Sequence, residues 1–415
     1  MSANSLRRAV ILLLSILLPA TIAVAQPTDF GIQITNVDRD LIRELAPFAS
    51  IVTLSVEHPQ FREMLLYAQI YDIEVSVYVE PLLFGRPETP NGSPKPPLRL
   101  FDDAAERWQA FVEDQGQVIS GDRLWGFYLV DEPFFRGVIP SELEQAQRIV
   151  EATFPHIPTA TSLNTIDLDT APTNLPTDVL DIVGFHQYAV TGNLSSDPGY
   201  QGYIDLLLSK FPDREYMIVA DTWWQAGRHG VAGLSLADMG RKIQEYRTVA
   251  EQIGAKTLGA FIWESLPGST GLRDFPDQPL REVLAVAADV SNKCGIPGDA
   301  DPKKGDSILF LQDCRFFVTV RWRDPNTGEE GDAVAVPQSS DTGLFWFFSP
   351  SNIELTFKII DGRSFNDHWW VFWSHLSSLE LLVSITDTFT GRNRLYAHPA
   401  SDTRAFEDPP VVDPP

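Results

Sequence analysis

The chain has 415 residues, of which 44% are hydrophobic, and it carries a formal net charge of −24 at pH 7. A chain of this length exceeds one ordinary domain and can bury a substantial core. Its acidity disfavours binding to DNA, RNA or anionic lipid and leaves neutral or cationic molecules as the easier partners.

The first 25 residues have the layout of a secretory signal peptide. Arg7 and Arg8 precede an apolar run over residues 9–18, and Ala23-Val24-Ala25 stands just before Gln26. The apolar run is too short for a typical membrane span. The sequence therefore predicts a signal peptide over 1–25 and an exported protein, secreted or at the cell surface, without a membrane-spanning helix.

Apolar strands alternate with amphipathic helices about eight times between residues 28 and 292. The predicted strands cover 29–35, 51–56, 74–80, 124–130, 159–163, 182–188, 216–220 and 257–263. The helical patterns cover 38–49, 59–71, 101–119, 140–152, 202–211, 236–254 and 279–291, whereas 164–180 offers only a short helix. This order predicts the α/β class and a (β/α)₈ TIM barrel over 26–292.

The residues that follow the predicted strands are acidic, polar or aromatic. In a parallel barrel these positions share one rim, where catalytic groups collect. Carboxylates and amides hydrogen-bond sugar hydroxyls, and flat rings stack on the C–H face of a sugar, so the rim predicts an oligo- or polysaccharide substrate. The candidates are Asn36, Glu57, His58, Glu80, Asp131, Glu132, Asn164, His186, Tyr188, Asp221, Trp223, Trp224, Trp263 and Glu264.

Several of these residues also have ordinary structural explanations. Glu57, Glu80 and Asn36 are as well explained by hydrogen bonds that hold neighbouring loops. Arg228 and His229, in the Gly-rich loop 226–233, suit an acidic sugar, although a solvated loop is the default expectation. No cofactor or metal is expected, because the sequence has neither a Gly-rich phosphate loop nor a Cys/His cluster with ligand spacing.

The predicted strand 124–130 ends directly on two adjacent carboxylates, Asp131 and Glu132, followed by Pro133. Neighbouring carboxyl groups at a barrel rim are expected to titrate in a coupled and perturbed way, as a general acid near neutral pH requires. An isolated Asp-Glu-Pro is equally consistent with an ordinary helix N-cap. The other polar strand ends favour the catalytic interpretation.

Over residues 28–292 the sequence resembles the retaining glycoside hydrolases of the large (β/α)₈ clan, in which the acid/base Glu follows an Asn at the end of the fourth strand. Glu132-Pro133 is similar to the family's acid/base Glu-Pro, and His186 and Tyr188 are similar to its sixth-strand His-x-Tyr. Trp263 is similar to the Trp that ends the eighth strand. The resemblance implies a retaining glycosidase with Glu132 as acid/base. The substrate-binding residues expected at this rim are His186, Tyr188, Trp223, Trp263, Glu264, Asn164 and Glu80.

Two departures from the family pattern leave the nucleophile open. Asp131 stands where the family has Asn, and the seventh strand ends in Asp221 where the family has a Glu nucleophile. Asp221 is the first candidate, and Glu264 or Glu80 are the alternatives. The departure at Asp221 also favours a competing class, a non-catalytic glycan-binding protein on a hydrolase-like barrel.

Asp131 and Glu132 together also resemble the substrate-assisted hexosaminidases. In those enzymes the Asp orients the 2-acetamido group of the substrate, the Glu is the acid, and no carboxylate nucleophile is needed. That resemblance gives Asp131 a catalytic role and assigns Tyr188 to the cyclised amide. The His-x-Tyr pair and Trp263 favour the two-carboxylate mechanism over this one.

Beyond the barrel, Cys294 and Cys314 are the two cysteines of the chain, and an oxidising compartment permits them to pair. They flank a polar, Pro- and Gly-rich segment, which predicts a linker over 293–306. From 307 to 406 short alternating runs predict a small all-β sandwich, which resembles an uncharacterised β-rich module of secreted bacterial proteins. Its aromatic residues, Trp346, Trp369, Trp370 and Trp373, are expected in the core rather than on a glycan-binding face. Residues 407–415 are expected to be disordered, and the sequence leaves the oligomeric state open.

Overall fold

The computed structural model describes residues 26–33, 37–87, 95–119, 124–171, 179–295, 305–400 and 405–412. The predicted signal peptide, Asn36 and residues 296–304 of the predicted linker lie outside the described residues. Within these ranges, no helix combines the length and the apolar composition that a membrane crossing needs.

The predicted (β/α)₈ barrel is confirmed. Eight parallel strands close in the order β1-β10-β9-β8-β7-β6-β3-β2. These strands are β1 (Asp29–Ile32), β2 (Ile51–Ser55), β3 (Glu74–Tyr78), β6 (Leu124–Asp131), β7 (Thr159–Leu163), β8 (Ile182–Phe185), β9 (Glu215–Ala220) and β10 (Thr257–Ala260). A two-stranded hairpin, β4 (Phe84–Gly85) with β5 (Arg99–Leu100), lies between the third and fourth barrel strands.

Helices follow the barrel strands and cover the outside of the barrel. They are α1 (Arg39–Leu45), α2 (Phe61–Ile70), α3 (Glu80–Leu83), α4 (Ala104–Ile119), α5 (Pro140–Glu151), α6 (Thr165–Thr170), α7 (Pro198–Lys210), α8 (Leu236–Ile253) and α9 (Asp277–Val290). The short α6 matches the weak pattern after the fifth strand. The third, sixth and eighth strands end two or three residues earlier than the patterns predict, because the chain leaves the ladder there to form the rim.

Two packed layers stabilise the barrel. The larger layer lies between strands and helices, where Trp108 of α4 contacts Phe127 of β6 and Phe154 after α5. The smaller layer fills the barrel interior with Ile51, Trp125, Ala160, Ile182, Met217 and Val219. Within it, the indole N–H of Trp125 donates to Thr257 across the barrel at 3.3 Å. The barrel interior is thus largely filled by side chains, as is usual for this fold.

The predicted all-β second part is also confirmed. One antiparallel sheet has the order β11-β12-β18-β19 with β13 on β12, and the other has the order β14-β15-β16-β17-β20. Their inner faces share one core that includes Phe316, Phe345, Phe357 and Val383. The strands are β11 (Leu309–Leu311), β12 (Phe316–Arg323), β13 (Glu330–Asp332), β14 (Val334–Ser339), β15 (Thr342–Trp346), β16 (Ile353–Asp361), β17 (Trp369–His375), β18 (Glu380–Asp387), β19 (Arg392–His398) and β20 (Ala405–Val412).

The structure differs from the sequence-based expectation at the end of this part. Residues 407–412 were expected to be disordered, but they continue β20, which pairs with β17 as an edge strand. An edge position tolerates prolines because one side of the strand needs no backbone donor. The expected core location of the tryptophans holds for Trp369 and Trp373, whereas Trp346 and Trp370 are only half-buried.

Candidate active site

Glu132 lies directly after β6 and has a left-handed backbone conformation that the neighbouring residues do not predict. The pairing of β6 with β7 shifts between Tyr128 and Val130, and Glu132 itself has a φ of 46°. Positive φ is uncommon for a residue with a side chain, and such outliers occur often at functional sites. The amide of Glu132 donates to the carbonyl of Ser162 at 3.0 Å, which fixes this conformation against β7.

The carboxylate of Glu132 accepts two hydrogen bonds through Oε1. The donors are Nδ2 of Asn164 and Nε2 of His186, each at 2.9 Å. Ser162 Oγ lies 2.9 Å from Nδ1 of His186, so the imidazole is held between this hydroxyl and Glu132. Burial by itself would raise the pKa of Glu132, but the two hydrogen bonds outweigh it and hold this pKa below its ordinary value.

Asp131 has the opposite electrostatic situation. Burial, reinforced by the neighbouring charge of Glu132, raises the pKa of Asp131 to about 6 against the opposing effects of His186 and Tyr128. The hydroxyl of Tyr128 donates to Oδ1 of Asp131 at 2.8 Å. Two adjacent carboxyl groups with pKa values displaced in opposite directions hold one proton between them below about pH 6, and that proton lies on Asp131.

Glu80 forms an ion pair beneath this site. Its two oxygens accept from the guanidinium of Arg136 at 2.7 and 2.5 Å, and the amide of Asp131 donates to Oε2 at 3.3 Å. Arg136 also donates to the carbonyl of Asp131 at 3.0 Å. Glu80 therefore contacts the backbone of the Asp131-Glu132 pair, and its carboxylate is already neutralised by Arg136.

A cluster of aromatic rings lies beside Glu132 and is connected to it through His186. His186 stacks on Tyr188 with ring centroids 4.9 Å apart, and Tyr188 contacts Trp223 at 5.8 Å and Phe261 at 5.0 Å. In the described part of the chain, the Tyr188 hydroxyl and the Trp223 indole N–H have no hydrogen-bond partner. We call these four residues, His186, Tyr188, Trp223 and Phe261, the aromatic wall.

Asp221 is far less accessible than its position at a strand end suggests. Its side chain is 1% exposed, and its oxygens lie 3.0 Å from Nε2 of His229. The amide of Ala189 donates to Oδ2 at 2.7 Å. His229 Nδ1 accepts from the amide of Gln225 at 3.0 Å, which leaves Nε2 as the protonated nitrogen that donates to Asp221. The structure thus places Asp221 in a buried link between the loops after β8 and β9.

Other predicted rim residues lie outside this cluster. Trp263 is fully buried in the main core, 5.5 Å from the ring of Phe48, instead of facing the rim as expected. The chain turns away after Ala260, so Phe261 occupies the cleft wall and Trp263 the core. Glu264 is partly buried just beyond Trp263, and the Trp224 indole donates to the carbonyl of Leu234.

Sequence reasoning missed three residues that shape the site. Asp167 of α6 accepts the amides of Phe134 and Phe135 through Oδ1, each at 2.8 Å, and so holds the turn after Glu132. The spacing Asn164-x-x-Asp167 is that of a helix capping box, which would have revealed this acid. Arg136 and Phe261 had no comparable local signal, because their partners are distant in the sequence.

No group of three or more His, Cys, Asp and Glu side chains in the described ranges has the arrangement of a metal site. The Ser162-His186-Glu132 arrangement also differs from a nucleophilic triad, because Ser162 is buried beneath the imidazole. What the cluster offers is one accessible ionised carboxylate, a second carboxyl group that gains a proton near pH 6, and a wall of rings. These are the components of acid/base chemistry on a ligand with a flat apolar face.

Comparison with known proteins gives only remote likenesses. No family model matches the sequence, and neither does any curated protein. A mutant xylanase from Cellvibrio japonicus, solved in complex with xylopentaose, is 10% identical over 65% of this chain and 68% of its own, with a TM-score of 0.43. A calcium-binding mutant of beta-glucuronidase 2 from Bacteroides uniformis is 10% identical over 90% of this chain and 45% of its own, with a TM-score of 0.46.

An endo-beta-1,4-mannanase double mutant from Cellulomonas fimi is 12% identical over 89% of this chain and 94% of its own, with a TM-score of 0.42. This chain spans about half the length of the glucuronidase. All three proteins are glycoside hydrolases. At such low identities and TM-scores, these likenesses carry no conclusion about the catalytic residues or the substrate of this chain.

Proposed function

We propose that this protein is an exported glycoside hydrolase and that Glu132 is its general acid/base. One observation carries the proposal: a carboxylate at the carboxyl end of a barrel strand, oriented by Asn164 and His186, lies beside a wall of aromatic rings. A sugar stacked on this wall would bring its glycosidic oxygen towards Glu132. The substrate class that follows is an oligo- or polysaccharide.

The hydrogen bonds to Glu132 determine whether this carboxyl group accepts or donates a proton in the site without substrate. With its pKa held below the ordinary value, Glu132 is ionised at neutral pH and ready to accept a proton from water. Donation to the leaving oxygen requires the protonated form. A sugar that excludes water from the cleft raises the pKa of this carboxyl group by desolvation, which makes the donating form accessible in the complex.

We propose a positioning role for Asp221 in place of the nucleophilic role that the strand order suggested. A nucleophile must reach the anomeric carbon, whereas Asp221 is buried and its oxygens are engaged by His229 and Ala189. Asp131 is then the carboxyl group next to Glu132 that is available for chemistry. It serves either as the second carboxylate or, in a substrate-assisted reaction, as the group that orients a 2-acetamido substituent.

The burial of Asp221 specifically favours that substrate-assisted alternative, because such a mechanism needs no carboxylate nucleophile. The same burial favours a second candidate function, a non-catalytic glycan-binding protein. In that case the wall would bind sugar, and the ionised Glu132 would accept hydrogen bonds from hydroxyls without transferring a proton. Activity measurements on defined glycosides separate these possibilities.

The test compares the full mature chain with the Glu132→Gln variant on 4-nitrophenyl glycosides of neutral hexoses, N-acetylhexosamines and uronic acids, and on polysaccharides. We expect a lowering of kcat by about 10² to 10⁴, the usual contribution of general acid/base catalysis. Glu106→Gln, an exposed carboxylate on α4, is the matched control and should keep full activity. Activity of Glu132→Gln within tenfold of the wild type would remove Glu132 from the acid/base role.

Product analysis identifies the nucleophile. Incubation with 2-deoxy-2-fluoro glycosides followed by peptide mass spectrometry would mark a carboxylate nucleophile, and a label on Asp221 would contradict its positioning role. Selective cleavage of N-acetylhexosaminides without any label would support the substrate-assisted mechanism. Glycan binding without turnover on the whole panel would identify the non-catalytic alternative.

A further inference from the structure

Arg228 is an exposed cation beside the aromatic wall, and it has no acidic partner among the described residues. Its guanidinium carbon lies 5.8 Å from the ring centroid of Tyr188 and 5.8 Å from that of Trp223. Within the part of the chain that the structure describes, its side chain makes no ion pair or hydrogen bond. By contrast Arg136, which lies beside Asp131, is neutralised by Glu80.

The loop that carries Arg228 is held firmly although Arg228 itself is exposed. Residues Ala226–Gly230 form a π-helical turn, a rare conformation that occurs frequently at functional sites. His229, the residue after Arg228, is fully buried and is hydrogen-bonded to Asp221 on one side and to Gln225 on the other. Trp224, before the turn, pairs with Thr270 through backbone hydrogen bonds of 2.8 and 2.7 Å. The loop therefore presents Arg228 in one place instead of leaving it in a solvated coil.

This arrangement has an electrostatic consequence for the ligand. Stacking of a guanidinium against ring faces contributes only about 0.5–1 kcal/mol at an exposed site, and it leaves the N–H edge of the guanidinium available for hydrogen bonds. Planar carboxylates and sulfate groups accept two hydrogen bonds from that edge. In a chain with a net charge of −24, an arginine without an acidic partner is the feature that would attract an anion.

We propose that Arg228, Tyr188 and Trp223 form a subsite for an anionic sugar, one that carries a carboxylate or a sulfate group. The anionic substituent of the sugar accepts hydrogen bonds from Arg228, and the sugar ring lies beside the guanidinium and the rings that support it. Arg228 contacts the ring of Tyr188, and Tyr188 stacks on His186. His186 in turn is hydrogen-bonded to Glu132. The subsite therefore adjoins the proposed catalytic carboxylate. This substrate class rests on the proposed function, whereas the binding itself can be measured without turnover.

The experiment measures binding to the full mature chain carrying Glu132→Gln, so that hydrolysis does not interfere. A glycan array with neutral, uronic-acid and sulfated members is probed first, and the strongest ligands are then titrated by calorimetry. We expect anionic glycans to dominate, and we expect Arg228→Met to weaken their binding roughly tenfold or more, as loss of a charge-assisted hydrogen bond implies. Comparison of uronic-acid with sulfated members identifies which anion is selected.

Two variants separate the subsite from general effects of charge. Arg228→Lys keeps the charge but loses the planar fork, so its affinity should lie between that of Arg228 and that of Arg228→Met. Arg148→Met removes an exposed arginine on α5 that pairs with Glu144, and it should bind like the parent. Binding by the parent should also weaken between 50 and 300 mM NaCl.

The proposal is overturned if the array ligands are neutral, if nothing binds, or if Arg228→Met binds anionic glycans as tightly as its parent. Failure of the proposed function has a different signature: the wild type would bind its glycan without cleaving it, or Glu132→Gln would remain active. Thermal unfolding of Arg228→Met is measured alongside. Because Arg228 is exposed, its Tm should match that of the parent.

Discussion

Asp131 and Glu132 are neighbours in the chain, yet the pKa values of their carboxyl groups are displaced in opposite directions. Glu132 accepts hydrogen bonds from His186 and Asn164, which stabilise its charged form. Asp131 is buried beside that charge, and the hydrogen bond from Tyr128 only partly compensates. The difference comes from partners directly after β7 and β8, so it depends on closure of the barrel and not on the local dipeptide.

The raised pKa of Asp131 predicts a pH-dependent stability cost. Because burial raises this pKa from 3.8 to about 6, the folded protein binds more protons than the unfolded chain between these values, and stability falls as pH rises through that window. The cost above the window is about 3 kcal/mol. Asp131→Asn should therefore unfold at higher urea concentration than the wild type at pH 8, with the difference shrinking towards pH 4.

The control for that comparison is Asp205→Asn, an exposed position on α7. Its urea midpoint should follow the wild type at both pH values. A stability difference of Asp131→Asn that is the same at pH 4 and pH 8 would contradict the assignment, because it would arise from packing and not from ionisation.

At the scale of the element, β6 determines where Asp131 and Glu132 lie. Its register shifts twice, against β3 between Val75 and Ser76 and against β7 between Tyr128 and Val130. Irregularities of this kind increase the local twist and redirect side chains, and they are common next to active sites. They bring the end of the strand to Ser162, Asn164 and His186. A regular strand would have placed consecutive side chains on opposite faces.

Gly126 is the position in β6 where this geometry is most sensitive to substitution. A Cβ atom there would lie 2.8 Å from the carbonyl oxygen of Pro158, at the point where Phe127 bonds the same oxygen. Backbone cannot yield as a side chain does, so Gly126→Ala should lower the free energy of unfolding by about 1–3 kcal/mol. Thermal and urea unfolding measure the effect.

Gly202→Ala provides the matched control for this prediction. Gly202 lies on the exposed face of α7 with no atom within 4 Å of its would-be Cβ. Alanine there should stabilise the helix by about 0.5–1 kcal/mol. If both alanine variants shifted stability in the same direction, the close approach at Pro158 would not be the controlling contact.

At the scale of the whole molecule, a disulfide and several contacts connect the barrel to the sandwich. Cys294 and Cys314, which the sequence allowed to pair, form a disulfide across 20 residues of sequence. The guanidinium of Arg43 on α1 lies 5.2 Å from the ring centroid of Trp346 in the sandwich. In the predicted linker, the amide of Gly295 donates to the carbonyl of Pro47 after α1 at 2.8 Å. The domain limits at 292 and 307 stay predictions.

Loss of the disulfide should destabilise this junction. The disulfide closes a 20-residue loop and so lowers the chain entropy of the unfolded state. This effect stabilises the folded protein by about 3 kcal/mol. The double variant Cys294→Ser with Cys314→Ser should therefore show a lower Tm by differential scanning calorimetry, with activity on small glycosides unchanged. Dithiothreitol should lower the Tm of the wild type and leave that of the double variant unaltered. A Tm of the double variant equal to that of the wild type would show that the contacts of Arg43 and Gly295 suffice.

Local patterns alone determined the architecture of this protein. Strand and helix periodicities are properties of a few consecutive residues. The eight βα units and the alternating strands after residue 307 could therefore be predicted from the sequence. The position of Glu132 at a barrel rim follows from the same local rule, since it stands where an apolar strand ends. The Cys294–Cys314 pair was readable because the chain has no other cysteines.

The tertiary structure alone decided the environment of each rim residue. Asp221 and Trp263 occupy strand ends in sequence, but His229 buries the first and contact with Phe48 buries the second. The lowered pKa of Glu132 and the neutralised charge of Glu80 depend on partners 32 to 56 residues away. Burial and electrostatics act through space, and these distances are set only when the barrel closes, so no short sequence pattern contains them.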